Sequence, residues 1–136
     1  MSPTMYLKNR NEFDLIIAHI SEEKILDIIN KLSNKSVGPA SIPLRLLKIV
    51  ADLVVVPLCK IINISLNSGV FPDILKVYKI IPLHKGGSTL EVNNFRTISL
   101  LSIFDKIIEK LMYRRLYDFF GEHNILYEHQ FAFRQF

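Results

Sequence analysis

Three cations frame two short β-forming stretches in the middle of the chain. Lys79 and Lys85 lie in Val77-Tyr78-Lys79-Ile80-Ile81-Pro82-Leu83-His84-Lys85, and Arg96 lies in Phe95-Arg96-Thr97-Ile98-Ser99-Leu100. Side chains alternate across a strand, so positions 79 and 85 share one face. A guanidinium offers a planar fork of donors and an ammonium a compact charge, and together they suit a phosphate chain. A hairpin that simply keeps its charges in water has the same pattern, so both readings stay open on these residues alone. Lys85-Gly86-Gly87-Ser88 has the ingredients of a phosphate turn without the complete phosphate-loop motif.

A second cationic row, Lys106, Lys110 and Arg114, repeats every four residues with Tyr113 and Tyr117 beside it. Such a row can follow a nucleic-acid backbone, and a solvated helix face looks similar. Other chemistries are poorly supplied. His19, His84, His123 and His129 form no H-x-x-x-H pair, and Cys59 alone cannot complete a thiolate site for zinc. There is no G-x-S-x-G, no G-K-[ST] loop and no G-x-G-x-x-G. Glu22-Glu23 reads as a helix start. Asp105 and Glu109, one turn apart among Lys106, Lys110, Arg114 and Arg115, read as surface ion pairing. No acid pair suited to a metal ion stands out, so neither a catalytic residue nor a metal ligand is expected.

The elements that must position these groups follow from capping and period. Residues 1–20 are weakly patterned, with an apolar patch from Phe13 to Ile17 that fits a strap or a strand. Ser21-Glu22-Glu23 opens a helix whose apolar face is Ile25, Ile28, Ile29 and Leu32. Turn formers from Ser33 to Pro39 break it. Pro43 suits the first position of a second helix, to about Ala51. Asp52 then caps a third from about Leu53 to Asn67, with Pro57 acceptable only in the first turn, and Gly69 ends it. A β-hairpin over about 77–100 follows, with a long polar connection and Pro82 marking an edge or bulge. Ser102-Ile103-Phe104-Asp105 resembles a capping box and opens a long helix, about 103–120, stopped by Gly121. Its apolar side carries Phe104, Ile107, Ile108, Leu111, Met112, Phe119 and Phe120.

Composition agrees with a packed α+β domain, mostly helical, with helices around the hairpin. A chain of 136 residues with 49% hydrophobic and 22% charged residues is neither disordered nor too short for a core. A single cysteine excludes a disulfide scaffold and fits a reducing, intracellular setting. No stretch is read as membrane-spanning, because Lys48, Asp52, Pro57 and Lys60 interrupt the most apolar one. Charge is uneven: residues 31–115 carry net +8, and the flanks 1–30 and 116–136 carry −2 each. A basic middle implies a polyanionic partner or a solvated surface.

Six short motifs, in order, resemble the N-terminal part of the reverse transcriptase domain of non-LTR retrotransposons, the LINE-type, jockey-like family. Lys35-Ser36-Val37-Gly38-Pro39-Ala40-Ser41-Ile42-Pro43 with Leu46-Leu47-Lys48 is similar to K-S-x-G-P-x-x-I-P…L-K. Asn63 to Pro72 is similar to N-x-S-x-x-x-G-x-x-P, and Ile80-Ile81-Pro82-Leu83-His84-Lys85-Gly86-Gly87 to V-I-P-x-x-K-x-G. Asn93-Asn94-Phe95-Arg96-Thr97-Ile98-Ser99-Leu100-Leu101 resembles N-Y-R-P-I-S-L-L. Ile107-Ile108-Glu109-Lys110 and Gln130-Phe131-Ala132-Phe133-Arg134 resemble L-E-K and Q-F-G-F-R.

The resemblance covers roughly residues 13–136. It implies a division into 1–30, an N-terminal extension with the first helix, and 31–136, a partial reverse transcriptase domain. The implied fold is the fingers of a right-hand polymerase, without palm or thumb. It implies that Lys85 and Arg96 hold the nucleotide triphosphate and that Arg134 lies toward the template; Lys79 and the row Lys106, Lys110 and Arg114 are candidate template or nucleic-acid contacts by their charge and spacing. The implied partners are an RNA template, a DNA primer and a deoxynucleoside triphosphate, in the nucleus or cytoplasm, with no membrane. The family's catalytic aspartates lie beyond the Q-F-G-F-R motif, so Mg²⁺ belongs to the intact enzyme, and this chain is expected to bind none and to be inactive alone. Thr97 stands where the family has proline, and Ala132 where it has glycine. A nucleic-acid-binding module without catalysis and a non-functional remnant of a mobile element are the alternatives.

Overall fold

Apolar residues spaced three and four apart set the first helix. In α1 (Glu22–Lys31) the buried residues are Ile25, Ile28 and Ile29, with Glu22 and Glu23 in the first turn, where the helix dipole favours acids. These elements come from a computed structural model that describes residues 13–33, 42–126 and 129. Residues 35–41 of the entry motif and the Gln130–Arg134 motif, Arg134 included, lie outside them.

α2 (Leu44–Ile49) buries Leu44 and Leu47, and α3 (Ala51–Ser68) buries Val55, Leu58, Cys59 and Ile62. Both boundaries differ from expectation. Pro43 sits at the N-cap rather than the first helical position, and α3 starts before Asp52, which does not cap it. Pro57 therefore falls in the body of α3. The bond it cannot make would go to the Leu53 carbonyl, and both residues are on the exposed side, where water can serve that oxygen. Gly69 ends α3 in the left-handed region at φ +67°. By length and apolarity α3 could cross a bilayer, contrary to the membrane reading above; here it packs against α1 and α2.

α4 (Ile103–Glu122) opens on the expected capping box. Asp105 N–H donates to Ser102 Oγ at 3.2 Å, and Ser102 N–H donates to Asp105 Oδ2 at 3.0 Å. Asp105 is thus only 5% exposed and spent on the cap, which corrects its reading as a surface ion-pair partner. Gly121 does not stop α4, which runs through it to Glu122 before turning at Asn124, φ +51°. Ile107, Ile108 and Leu111 join the core formed by α1, α2 and α3. Residues 13–20 form the strap of the two options, without regular structure, ending in the fully buried Ile20.

β1 (Lys79–His84) and β2 (Phe95–Leu100) form the antiparallel hairpin, paired from Lys79 with Leu100 to His84 with Phe95. All of β1 is exposed and no strand residue belongs to the core. The fold is α+β, but its helices pack on one another and leave the hairpin outside, rather than surrounding it. The reason is compositional: Lys79, His84, Arg96, Thr97 and Ser99 spread polar groups over both faces, so neither face can be buried.

Candidate functional site

The register decides which cations meet. Paired residues of an antiparallel ladder point to the same side, so Lys79, Ile81 and Leu83 share a face with Leu100, Ile98 and Arg96. The ladder continues one step, because Lys85 N–H donates to the Asn94 carbonyl at 2.7 Å. Lys85 therefore belongs to that face, diagonal to Arg96, at a Cα separation of roughly 7–8 Å. Both are exposed. Lys79 is on the same face but six residues from Lys85, about 20 Å along the strand. The sequence placed Lys79 and Lys85 on one face with Arg96 on the opposing strand; the fold brings Lys85 and Arg96 together and leaves Lys79 at the far end. Between that pair and Lys79 lie the partly exposed Ile81, Leu83 and Ile98.

The connection beside Lys85 is tightly built. Gly86 and Gly87 adopt φ +122° and +83°, conformations open to glycine, and a short 3-10 turn, Val92–Asn94, leads into β2. The Asn94 side chain spans the loop: Nδ2 donates to the Ser88 carbonyl at 2.8 Å and to Glu91 Oε2 at 3.3 Å. Lys85 Nζ donates to the Asn93 carbonyl at 3.3 Å, which leaves further donors on the ammonium. The residue types announced a turn here; the clamp by Asn94 had no local signal beyond an asparagine before Phe95.

The row on α4 is less uniform than its spacing. Lys110 is exposed, and Lys106 is half-buried with a partner of its own. Arg114 donates to Asp27 on α1 at 2.9 Å, and Lys31 meets the same carboxylate at 2.5 Å. These two contacts, the Lys31 hydrogen bond foremost, hold the Asp27 carboxyl below its ordinary value. Arg115, outside the candidate set, donates to the Ala18 carbonyl and so fastens the strap to α4.

Other quoted motif residues do structural work. Asn63, 5% exposed in an otherwise apolar face of α3, accepts from Ile20 N–H at 2.8 Å and donates to the Ile20 carbonyl at 2.9 Å. Ser65 Oγ donates to the Val70 carbonyl at 2.7 Å, just past Gly69. Lys48 Nζ donates to the carbonyls of Asn30 and Leu32 at 2.7 and 3.0 Å, placing a cation at the C-terminal end of α1. An asparagine inside an apolar helix face was the available signal for the first of these.

Among the described residues no group of three His, Cys, Asp or Glu side chains is placed to hold a metal ion. The described side chains do not fit a resident Mg²⁺. What the site offers is a cationic, exposed strand face.

No family model matches the chain. Over 126 residues, 91% of the chain, it is 36% identical to the "Probable RNA-directed DNA polymerase from transposon BS" of Drosophila melanogaster. Over 131 residues, 95% of the chain, it is 30% identical to the "RNA-directed DNA polymerase from mobile element jockey" of the same fly. Over nearly its whole length the chain is therefore similar to a stretch of two RNA-directed DNA polymerases of mobile elements, which supports the jockey-like resemblance carried by the motifs. The chain spans 14% of the length of each of these relatives.

Proposed function

We propose that the chain serves as the nucleotide- and template-contacting fingers of an RNA-directed DNA polymerase. Lys85 and Arg96 bind the triphosphate of an incoming deoxynucleotide, and Lys79, Lys110, Lys106 and Arg134 lie toward an RNA template paired to a DNA primer. Arg114 would reach a template only by leaving Asp27. The observation that supports this most is the shared, exposed face of Lys85 and Arg96 beside a glycine turn. Two cations fixed at that separation offset the charge of a bound triphosphate and the charge that develops on departing pyrophosphate. The apolar strip of Ile81, Leu83 and Ile98, which runs along the same face toward Lys79, gives a base or sugar a surface to lie on.

The test is a titration of the 136-residue chain with a deoxynucleoside triphosphate, followed by amide and guanidinium resonances. Shifts confined to residues 79–100 are expected, with affinity falling about tenfold for Lys85→Ala and again for Arg96→Ala. Shifts scattered over the helices, or a double variant that binds as the parent does, overturn the assignment. The chain is also expected to extend no primer with Mg²⁺ or Mn²⁺; template-dependent incorporation overturns that part.

A further inference from the structure

Asn94 carries more of the loop than its neighbours. It is half-buried in a connection whose residues 86–93 are all exposed. Three of its groups are engaged at once. Its carbonyl takes the Lys85 N–H at 2.7 Å, its own N–H donates to the Glu91 carbonyl at 3.1 Å, and its side-chain amide donates to the Ser88 carbonyl at 2.8 Å and to Glu91 Oε2 at 3.3 Å. The amide thus ties the far side of the loop back to the residue that pairs with Lys85. Gly87 lies directly against it: a Cβ at position 87 would stand 2.9 Å from Asn94 Nδ2 and 3.4 Å from its Cγ. The glycine is therefore required twice, by its φ of +83° and by the close approach of this amide.

We propose that Asn94, seated against Gly87, is the positioning residue for Lys85, fixing the ammonium at the distance from Arg96 that a triphosphate spans. This rests on the reading of Lys85 and Arg96 as phosphate-binding. The backbone of Lys85 has one ladder bond holding it past the end of β1, and that bond ends on Asn94. The Nζ of Lys85 rests on the Asn93 carbonyl, whose direction is set by the 3-10 turn that closes on Asn94. Releasing the amide from Ser88 and Glu91 frees both anchors together. Arg96, two residues along β2 and paired with Leu83, keeps its ladder position when the loop loosens. The effect of Asn94 should therefore pass through Lys85 and leave Arg96 in place.

The experiment measures binding of inorganic tripolyphosphate, by guanidinium and amide resonances, to the full 136-residue chain and to Asn94→Ala, Asn94→Asp, Gly87→Ala, Lys85→Ala and Lys85→Ala/Asn94→Ala. Asn94→Asp keeps the shape and removes the donor. The hairpin lies outside the core, so helical circular dichroism should stay at the parent value in all of them and certifies the helices, while an unchanged Ile98 amide certifies the hairpin. Each of the three loop variants is expected to bind about tenfold more weakly than the parent, and Asn94→Ala to change affinity less than about twofold once Lys85 is alanine. The Lys85 amide should also exchange faster in Asn94→Ala, with the Arg96 and Ile98 amides unchanged. Parent affinity in Asn94→Ala, or the same loss with and without Lys85, overturns this inference alone. Absence of binding by the parent chain, or full affinity in Lys85→Ala, overturns the underlying site and this inference with it.

Discussion

Asn63 and Ile20, 43 residues apart, exchange hydrogen bonds as neighbouring strands do. The Asn63 side chain accepts from Ile20 N–H at 2.8 Å and returns a bond to the Ile20 carbonyl at 2.9 Å. Its amide donates also to the Cys59 carbonyl at 2.9 Å. Ile20 is fully buried in a strap with no partner strand, so without Asn63 its N–H would be buried and unpaired and its carbonyl left with the weak Cys59 thiol donor alone. Asn63→Leu is expected to cost about 2–4 kcal/mol, because apolar packing cannot replace the bonds to these two backbone groups. Urea unfolding of the pair at equal m-value measures it. A cost under about 1 kcal/mol would mean that water takes the place of the amide.

What the sequence made readable was short in range. The capping box of Ser102 and Asp105 lies within four residues, and the face of Ile25, Ile28 and Ile29 within one helical repeat, so local pattern sufficed for both. The common face of Lys79 and Lys85 followed from strand parity, whereas the place of Arg96 on that face needed the cross-strand register. The limits of α3 were not readable, because Leu53, Val56, Ile61 and Ile64 put large apolar residues on its solvent side as well and blur the period. Gly121 misled because a glycine in a last turn is tolerated when the helix is already secured upstream. Contacts across the chain left no local trace. Arg114 reads as one of three equal cations until Asp27, 87 residues away, is found against it.

Asp27 gives the fold an acid-sensitive joint between α1 and α4. Its carboxylate meets Lys31 and Arg114, and the Lys31 hydrogen bond is the larger cause of its lowered pKa. The unfolded chain titrates near the ordinary aspartate value of 3.8. The folded value lies lower, so this contribution is present above the unfolded value and is lost as pH falls through the folded one. Asp27→Asn should lower the thermal midpoint slightly at neutral pH and flatten its acid limb, the two curves converging at the acid end. The groups are partly exposed, so added salt should narrow the gap. Parallel midpoint curves from neutral pH into acid would remove Asp27 from the account.

Cys59 should be chemically quiet in the folded chain. Burial raises its thiol pKa, the charge of Glu22 adds to that, and the bond from Asn63 opposes it. Its sulfur faces the Ile20 carbonyl at 3.1 Å, under the strap. Alkylation is therefore expected to run about a hundredfold slower than in urea and to follow local opening. Asn63→Leu should speed it by loosening the strap. Labelling of the native chain as fast as the unfolded one would show that the strap does not close over this thiol.

The hairpin should be the least protected regular element. A two-stranded ladder is marginal by itself, and this one has both faces in water while α1, α3 and α4 share the core. Amides of β1 and β2 are expected to exchange at least about a hundredfold faster than those of Ile28, Ile62 and Ile107. A ligand that binds only the formed hairpin adds RT ln(1 + [L]/Kd), about 2.7 kcal/mol at a hundredfold excess over Kd. Tripolyphosphate should therefore slow exchange in β1 and β2 selectively and leave the helices untouched. Hairpin amides as slow as those of α1 in the free chain would mean that the hairpin is held by something other than its own ladder, and protection spread evenly over the helices would move the anion away from Lys85 and Arg96.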